Sequence, residues 1–274
     1  MNYPENDSDF RCITCLTPTV CQLCGVRLPA QNGDTPIQAV LDAAQKELGD
    51  EPVQKLLIFA PDAVGIQLWE KFPQNLPRVQ NLAPVRVPIR SVMPSVTPVN
   101  FASMYSGALP EVHGIQEYAK PVLTCETLFN VFPECDKKTA ICSSNGCSID
   151  TIFRKRKITY ISSRTDAESF NFTEMLLRNY DYDFILDYMG DYDSIMHKTA
   201  PFAPEAIRAY EICIETFEKL VQITDEVWKD YNRLVIWSPD HGSHLRDNGH
   251  GTHGSDLPED LLVYHFYRVK KGSK

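Results

Sequence analysis

Lys55-Leu56-Leu57-Ile58-Phe59-Ala60-Pro61-Asp62 is a short apolar run closed by a proline and a carboxylate. An apolar run of this length without polar alternation reads as a parallel strand covered on both faces. The pattern returns at 184–189, followed by Asp193, and at 234–238, followed by Asp240 and His241. Helical periodicity fills the intervals at 167–180 and 204–228. Strands alternating with helices predict an α/β fold, a layered α/β/α arrangement around a mostly parallel central sheet.

Working outward, a helix is expected over 35–48, with Asp34 or Thr35 as N-cap and Pro36 near the first helical position. Further strands are expected at 85–92, 138–143, 158–162 and 261–268, and a helix begins within 100–106. No repeat or linker divides 35–274, which reads as one domain. Residues 1–34, rich in Pro, Asn, Asp and Cys, read as an irregular arm.

The chain of 274 residues is 43% hydrophobic and 23% charged, as in an ordinary globular protein rather than a disordered or collagen-like one. Its apolar runs are far shorter than the roughly 18 residues a spanning helix needs, so no membrane partner is expected. The amino terminus lacks a basic and apolar leader pattern, and the reading is cytoplasmic. A net charge of −9, from 27 basic and 36 acidic residues, disfavours nucleic acid as a partner. Arg154-Lys155-Arg156-Lys157 is the one basic run, and it reads as a solvated edge.

In open α/β sheets, polar groups beyond the carboxyl ends of strands converge on one crevice. Here those positions hold Asp62, Thr97, Asp193 with His197, and Asp240 with His241. Asp193 and His197, four apart, can face one ion, although a capping Asp with a partly exposed His has the same spacing. Asp240-His241-Gly242 follows an apolar strand and suits either a ligand pair at a tight turn or a plain turn. Four of the seven histidines, His241, His244, His250 and His253, fall within 241–253, a density that reads as metal binding. Thr97, ahead of Pro98, is either an N-cap or a hydroxyl at an anion-favouring helix start.

In their order along the chain these segments resemble the alkaline phosphatase superfamily, and within it the type I phosphodiesterase/nucleotide pyrophosphatase branch. The similarity rests on Thr97, Asn100, Gly107 and the Pro110-Glu111-Val112-His113-Gly114-Ile115 run, with Asp62, Asp193/His197, Asp240-His241 and Gly251-Thr252-His253-Gly254 following the family's metal-ligand segments. The resemblance implies an alkaline phosphatase-like catalytic domain over 35–274, near-minimal because His253 follows His241 so soon. It implies two divalent ions, zinc with manganese or iron as alternatives. One would be held by Asp193, His197 and His253, the other by Asp62, Asp240 and His241 with the Thr97 oxygen. Thr97 would be the nucleophile and Asn100 would hold non-bridging oxygens. The implied activity is hydrolysis of phosphoric esters through a phosphothreonine, with a small phosphorylated substrate such as a nucleotide. The alternatives are a phosphomutase of the same superfamily and a non-catalytic, metal-stabilised binding protein. His113 and His265 read as packed structural histidines.

Cys12-x-x-Cys15 and Cys21-x-x-Cys24 form two closely spaced CxxC pairs. They are a candidate structural zinc site, with reduced thiols or a redox pair as the other readings. The remaining five cysteines read as small core residues.

Overall fold

The run at 55–61 becomes the middle of a sheet because its side chains from Leu56 onward are apolar and the Lys55 ammonium is paired with Asp181 and Asp183. In the structure, a computed structural model that describes residues 10–274, eight strands share that sheet. They are β1 (Arg11–Cys12), β2 (Lys55–Pro61), β3 (Val85–Arg90), β4 (Thr139–Ser144), β5 (Thr159–Ser163), β6 (Phe184–Met189), β7 (Arg233–Trp237) and β8 (Leu262–Lys270). Their spatial order is β1-β3-β8-β7-β2-β6-β4-β5. β2 lies between β6 and β7, parallel to both, with Ile58 opposite Leu186 and Ile236. β8 runs antiparallel to both β3 and β7. The fold is therefore α/β with a mostly parallel mixed sheet, as the alternation predicts.

Six helices position the core and the site: α1 (Leu16–Cys24), α2 (Gln38–Leu48), α3 (Thr97–Ser106), α4 (Asp166–Asn179), α5 (Asp191–Met196) and α6 (Pro204–Val227). The pleat of β2 divides its side chains between two core layers. Leu56, Ile58 and Ala60 pack with residues of α1, α2 and α3. Leu57 and Phe59 pack on the opposite side with residues of α4 and α6. Among the described residues, no helix is long and apolar enough to cross a membrane.

The expectation of an irregular arm over 1–34 is corrected. Residues 1–9 lie outside the described residues, but β1, a short 3-10 turn and α1 follow. Ile13, Leu16 and Val20 are fully buried in the same core as β2. Pro18 conceals this helix in the sequence. It is the third residue of α1, within the first turn, where the missing N–H costs no intrahelical bond. Thr17 also donates from Oγ1 to the Met104 carbonyl (2.7 Å), tying α1 to α3.

Candidate active site

Asp62 follows β2 directly. α5, just past β6, carries Asp193, and His197 is its C-cap. Asp240 and His241 follow β7, Thr97 opens α3, and His253 arrives from a two-stranded hairpin, His244–Leu245 with Gly251–Thr252. These side chains form two groups, each with its potential ligand atoms within 4.8 Å of one another. In the first, Asp193 Oδ1 is 3.3 Å from Nε2 of both His197 and His253, and those two nitrogens are 3.0 Å apart. In the second, His241 Nε2 is 3.2 Å from Asp240 Oδ2 and 3.6 Å from Asp62 Oδ1. The His241 and His253 rings stack with centroids 4.0 Å apart, so the groups adjoin. Thr97 Oγ1 lies 3.4 Å from Asp62 Oδ2 and 3.3 Å from His241 Nε2.

The protons on the three imidazoles follow from their backbone partners. His241 Nδ1 faces the Gly242 carbonyl (2.9 Å), His197 Nδ1 that of Gly251 (3.1 Å), and His253 Nδ1 that of Ser95 (3.0 Å). A carbonyl only accepts, so each neutral ring carries its proton on Nδ1 and turns the Nε2 lone pair inward. Asp62 Oδ1, Asp193 Oδ1 and Asp240 Oδ2 are buried and accept no hydrogen bond. Three lone-pair nitrogens and three orphaned carboxylate oxygens thus face one another, an arrangement that divalent cations satisfy and protons alone do not.

Electrostatics agree. Burial raises the Asp62 carboxyl well above its usual range, and the charges of Asp240 and Asp193 raise it further. Burial does the same to Asp240, with Asp193 adding to it against the lowering effect of the Ala63 N–H bond. Burial would raise Asp193 too, but the nearby imidazoles of His197 and His253 outweigh it and hold that carboxyl below the ordinary range. His241 is depressed by burial first and by His253 second. The Asp62, Asp240, His241 group is fully enclosed, whereas His197 stands exposed at the mouth.

Two glycines let the segments meet. A Cβ on Gly242 would lie 2.0 Å from the Glu259 carbonyl oxygen and 2.9 Å from the Gly65 Cα, so the Asp-His-Gly turn needs the bare backbone. A Cβ on Gly251 would lie 2.7 Å from the Met196 carbonyl oxygen. That close approach of the hairpin to α5 brings His253 beside His197.

Asn100 departs from its expected role. Its Oδ1 accepts from Val92 N (2.8 Å), and its Nδ2 faces the carbonyls of Val92, Pro94 and Val96. The amide is spent tying the 92–96 loop to α3 and holds Thr97 in place rather than facing a substrate. Ser91 donates to the Asp240 carbonyl (2.6 Å) and Ser95 to that of Ser255 (2.9 Å), so both neighbouring hydroxyls are engaged by the backbone. His244 pairs with Asp260 and His250 with the His197 carbonyl, which leaves His253 as the histidine of this stretch in the first group. His113 bonds Ser103, and His265 donates from Nε2 to the Pro239 carbonyl just ahead of Asp240, so both are structural.

The cysteine expectation is also corrected. Among the described residues Cys12, Cys15, Cys21 and Cys24 do not form a ligand group, being distributed over β1, the 3-10 turn and α1. Burial pushes Cys21 and Cys24 up to about 12, so as free thiols they keep their protons. Tyr188, which sequence reasoning passed over, donates to Asp62 Oδ2 at 2.6 Å. It reads as one more apolar strand residue, and no spacing marks it.

The family described as Type I phosphodiesterase / nucleotide pyrophosphatase matches residues 56–121. No curated protein matches the chain by sequence. Among solved structures, phosphonoacetate hydrolase from Sinorhizobium meliloti in complex with phosphonoacetate is similar at 19% identity and TM-score 0.51, over 70% of this chain and 57% of that one. An inactive variant of murine ectonucleotide pyrophosphatase/phosphodiesterase 5, in complex with AMP, is similar at 13% identity and TM-score 0.57, over 71% and 59%. The C-terminal periplasmic domain of phosphoethanolamine transferase EptC from Campylobacter jejuni is similar at 16% identity and TM-score 0.57, over 79% and 80%. The chain spans less than three fifths of the length of the first two. Residues 56–121 are thus similar to the type I phosphodiesterase/nucleotide pyrophosphatase family, and the chain shares the fold of these solved structures.

Proposed function

We propose that this chain is a metal-dependent hydrolase of phosphoric esters with Thr97 as its nucleophile. The observation that carries the reading is the position of Thr97 Oγ1, 3.3–3.4 Å from His241 and Asp62, at the first residue of a ten-residue helix. Divalent ions held by Asp193, His197 and His253 and by Asp62, Asp240 and His241 would supply Lewis-acid stabilisation of charge on the entering and leaving oxygens. The mixed carboxylate and imidazole donors suit zinc, with manganese or iron as alternatives.

The chain's own contribution is geometric. Asn100 fixes the loop before Thr97, and the helix start places the hydroxyl at the positive end of the α3 dipole, where negative charge accumulates. Attack of the Thr97 oxygen on phosphorus expels the alcohol or phosphate leaving group and forms a phosphothreonine, which water then hydrolyses. The ligands of the relatives, AMP in one and phosphonoacetate in another, support a small phosphorylated substrate, a nucleotide among the candidates. The domain reading for 35–274 and a cytoplasmic setting belong to the same proposal, the latter in keeping with nine free thiols.

The test is turnover of an aryl phosphodiester and an aryl phosphomonoester by zinc-loaded protein, before and after chelation. Release of the aryl alcohol that stops on chelation and resumes with zinc supports the reading. A protein that loads zinc and turns over neither ester is a binder. Transfer of phosphate within a product, with none released, marks a mutase.

A further inference from the structure

Asp62 has two oxygens, and they live in different surroundings. Oδ1 is buried and accepts no hydrogen bond, whereas Oδ2 accepts from the Tyr188 hydroxyl at 2.6 Å and lies 3.4 Å from Thr97 Oγ1. A phenol is protonated at neutral pH and a carboxylate oxygen only accepts, so the Tyr188 hydroxyl is the donor. Tyr188 is the penultimate residue of β6, next to β2 in the sheet, opposite Ala60. Its ring packs edge-on against Phe101 of α3, centroids 5.8 Å apart, one helical turn beyond Thr97. One side chain therefore touches both the carboxylate and the helix that carries the hydroxyl.

A second observation comes from the backbone. Gly190 has φ −117°, a conformation open to any residue. Yet a Cβ there would lie 2.6 Å from the Tyr188 hydroxyl oxygen. Glycine at this position leaves room for that hydroxyl.

We infer that Tyr188 is a positioning residue that locks the rotation of Asp62, turning Oδ1 toward the enclosed ion site and Oδ2 toward Thr97, with Gly190 providing the space. This rests on the proposed role of Asp62 as a metal ligand. Groups that orient a metal-binding side chain from behind typically change affinity by about tenfold to a hundredfold when removed.

The test uses the full chain, stripped of metal and titrated with Zn2+ in a calorimeter. Tyr188→Phe keeps the ring on Phe101 and removes only the donor. Gly190→Ala keeps the donor and crowds it. Each variant is expected to retain the parent's circular dichroism and to weaken one of the two Zn2+ sites by about tenfold or more, with the other site unchanged. Because both act through one hydrogen bond, the double variant should lose little more than Tyr188→Phe alone. Parental Zn2+ affinity in Tyr188→Phe, or losses that add in the double variant, overturns the inference. A parent protein that takes up no Zn2+ overturns the two-ion reading together with it, and the two failures are told apart by the parent titration.

Discussion

Thr97 and Ser95 stand two residues apart in one turn, and their partners separate their roles. Ser95 spends its hydroxyl on the Ser255 carbonyl, so Ser95→Ala is expected to cost about 1 kcal/mol of stability and to leave turnover near the parent's, checked by denaturant unfolding and an aryl-ester assay. Asp240 behaves oppositely. Its Oδ1 accepts from Ala63 N and its Oδ2 faces His241. Asp240→Ala should abolish turnover and remove one ion per chain, read by elemental analysis, and a variant with parental activity refutes the assignment. At this scale much was legible. Asp62, Asp193, Asp240 and His241 announce themselves because each follows a buried strand. Asn100 misleads because its place one turn after Thr97 puts both on one helix face, while the folding back of 92–96, which consumes its amide, leaves no mark in the sequence.

The elements carry the same lesson in a different form. Strands that are mostly apolar and buried along their whole length, such as β2 and β6, are legible nearly to the residue, whereas α1 escapes notice because its proline sits where helices tolerate one. The 110–115 segment is pinned to α3 by His113, which receives Ile115 N–H at Nδ1 and bonds Ser103 at Nε2. Burial pushes this imidazole down to about 4, so it stays neutral in the fold while the unfolded chain protonates near 6.5. The unfolded state then binds the extra proton between those values, and the contribution of His113 to stability is lost as pH falls through this window. The stability gap between the parent and His113→Asn should accordingly narrow by up to roughly 3 kcal/mol from pH 7 to pH 4, measured by urea unfolding at several pH values. A gap that is constant with pH contradicts the neutral assignment. In the hairpin, Gly251→Ala would press a methyl group against the Met196 carbonyl. It should weaken the outer group, because His253 can no longer lie beside His197, and the expected result is loss of one bound ion while the fold is kept.

For the whole molecule, the sheet gathers three acidic and three imidazole candidate ligands from segments that span residues 62 to 253, so ions held there would link distant parts of the chain. Binding to the folded state alone stabilises by about 4 kcal/mol at a thousandfold excess over Kd. Removing both ions should therefore lower Tm by on the order of 10 °C, restored on adding zinc, and a Tm indifferent to chelator would speak against folded-state ion sites. The arrangement of layers was readable from alternating patterns, but the joining of the amino-terminal segment to the core was not, since its strand is only two residues long. The central claim is that Thr97 supplies the attacking oxygen within this centre. It is tested most directly by the rate of aryl-ester hydrolysis in zinc-loaded parent, Thr97→Ser and Thr97→Ala at matched metal content. The account predicts measurable turnover in Thr97→Ser, where a hydroxyl remains, and a loss of roughly a thousandfold or more in Thr97→Ala. A Thr97→Ala protein that hydrolyses the ester at the parent's rate would contradict it.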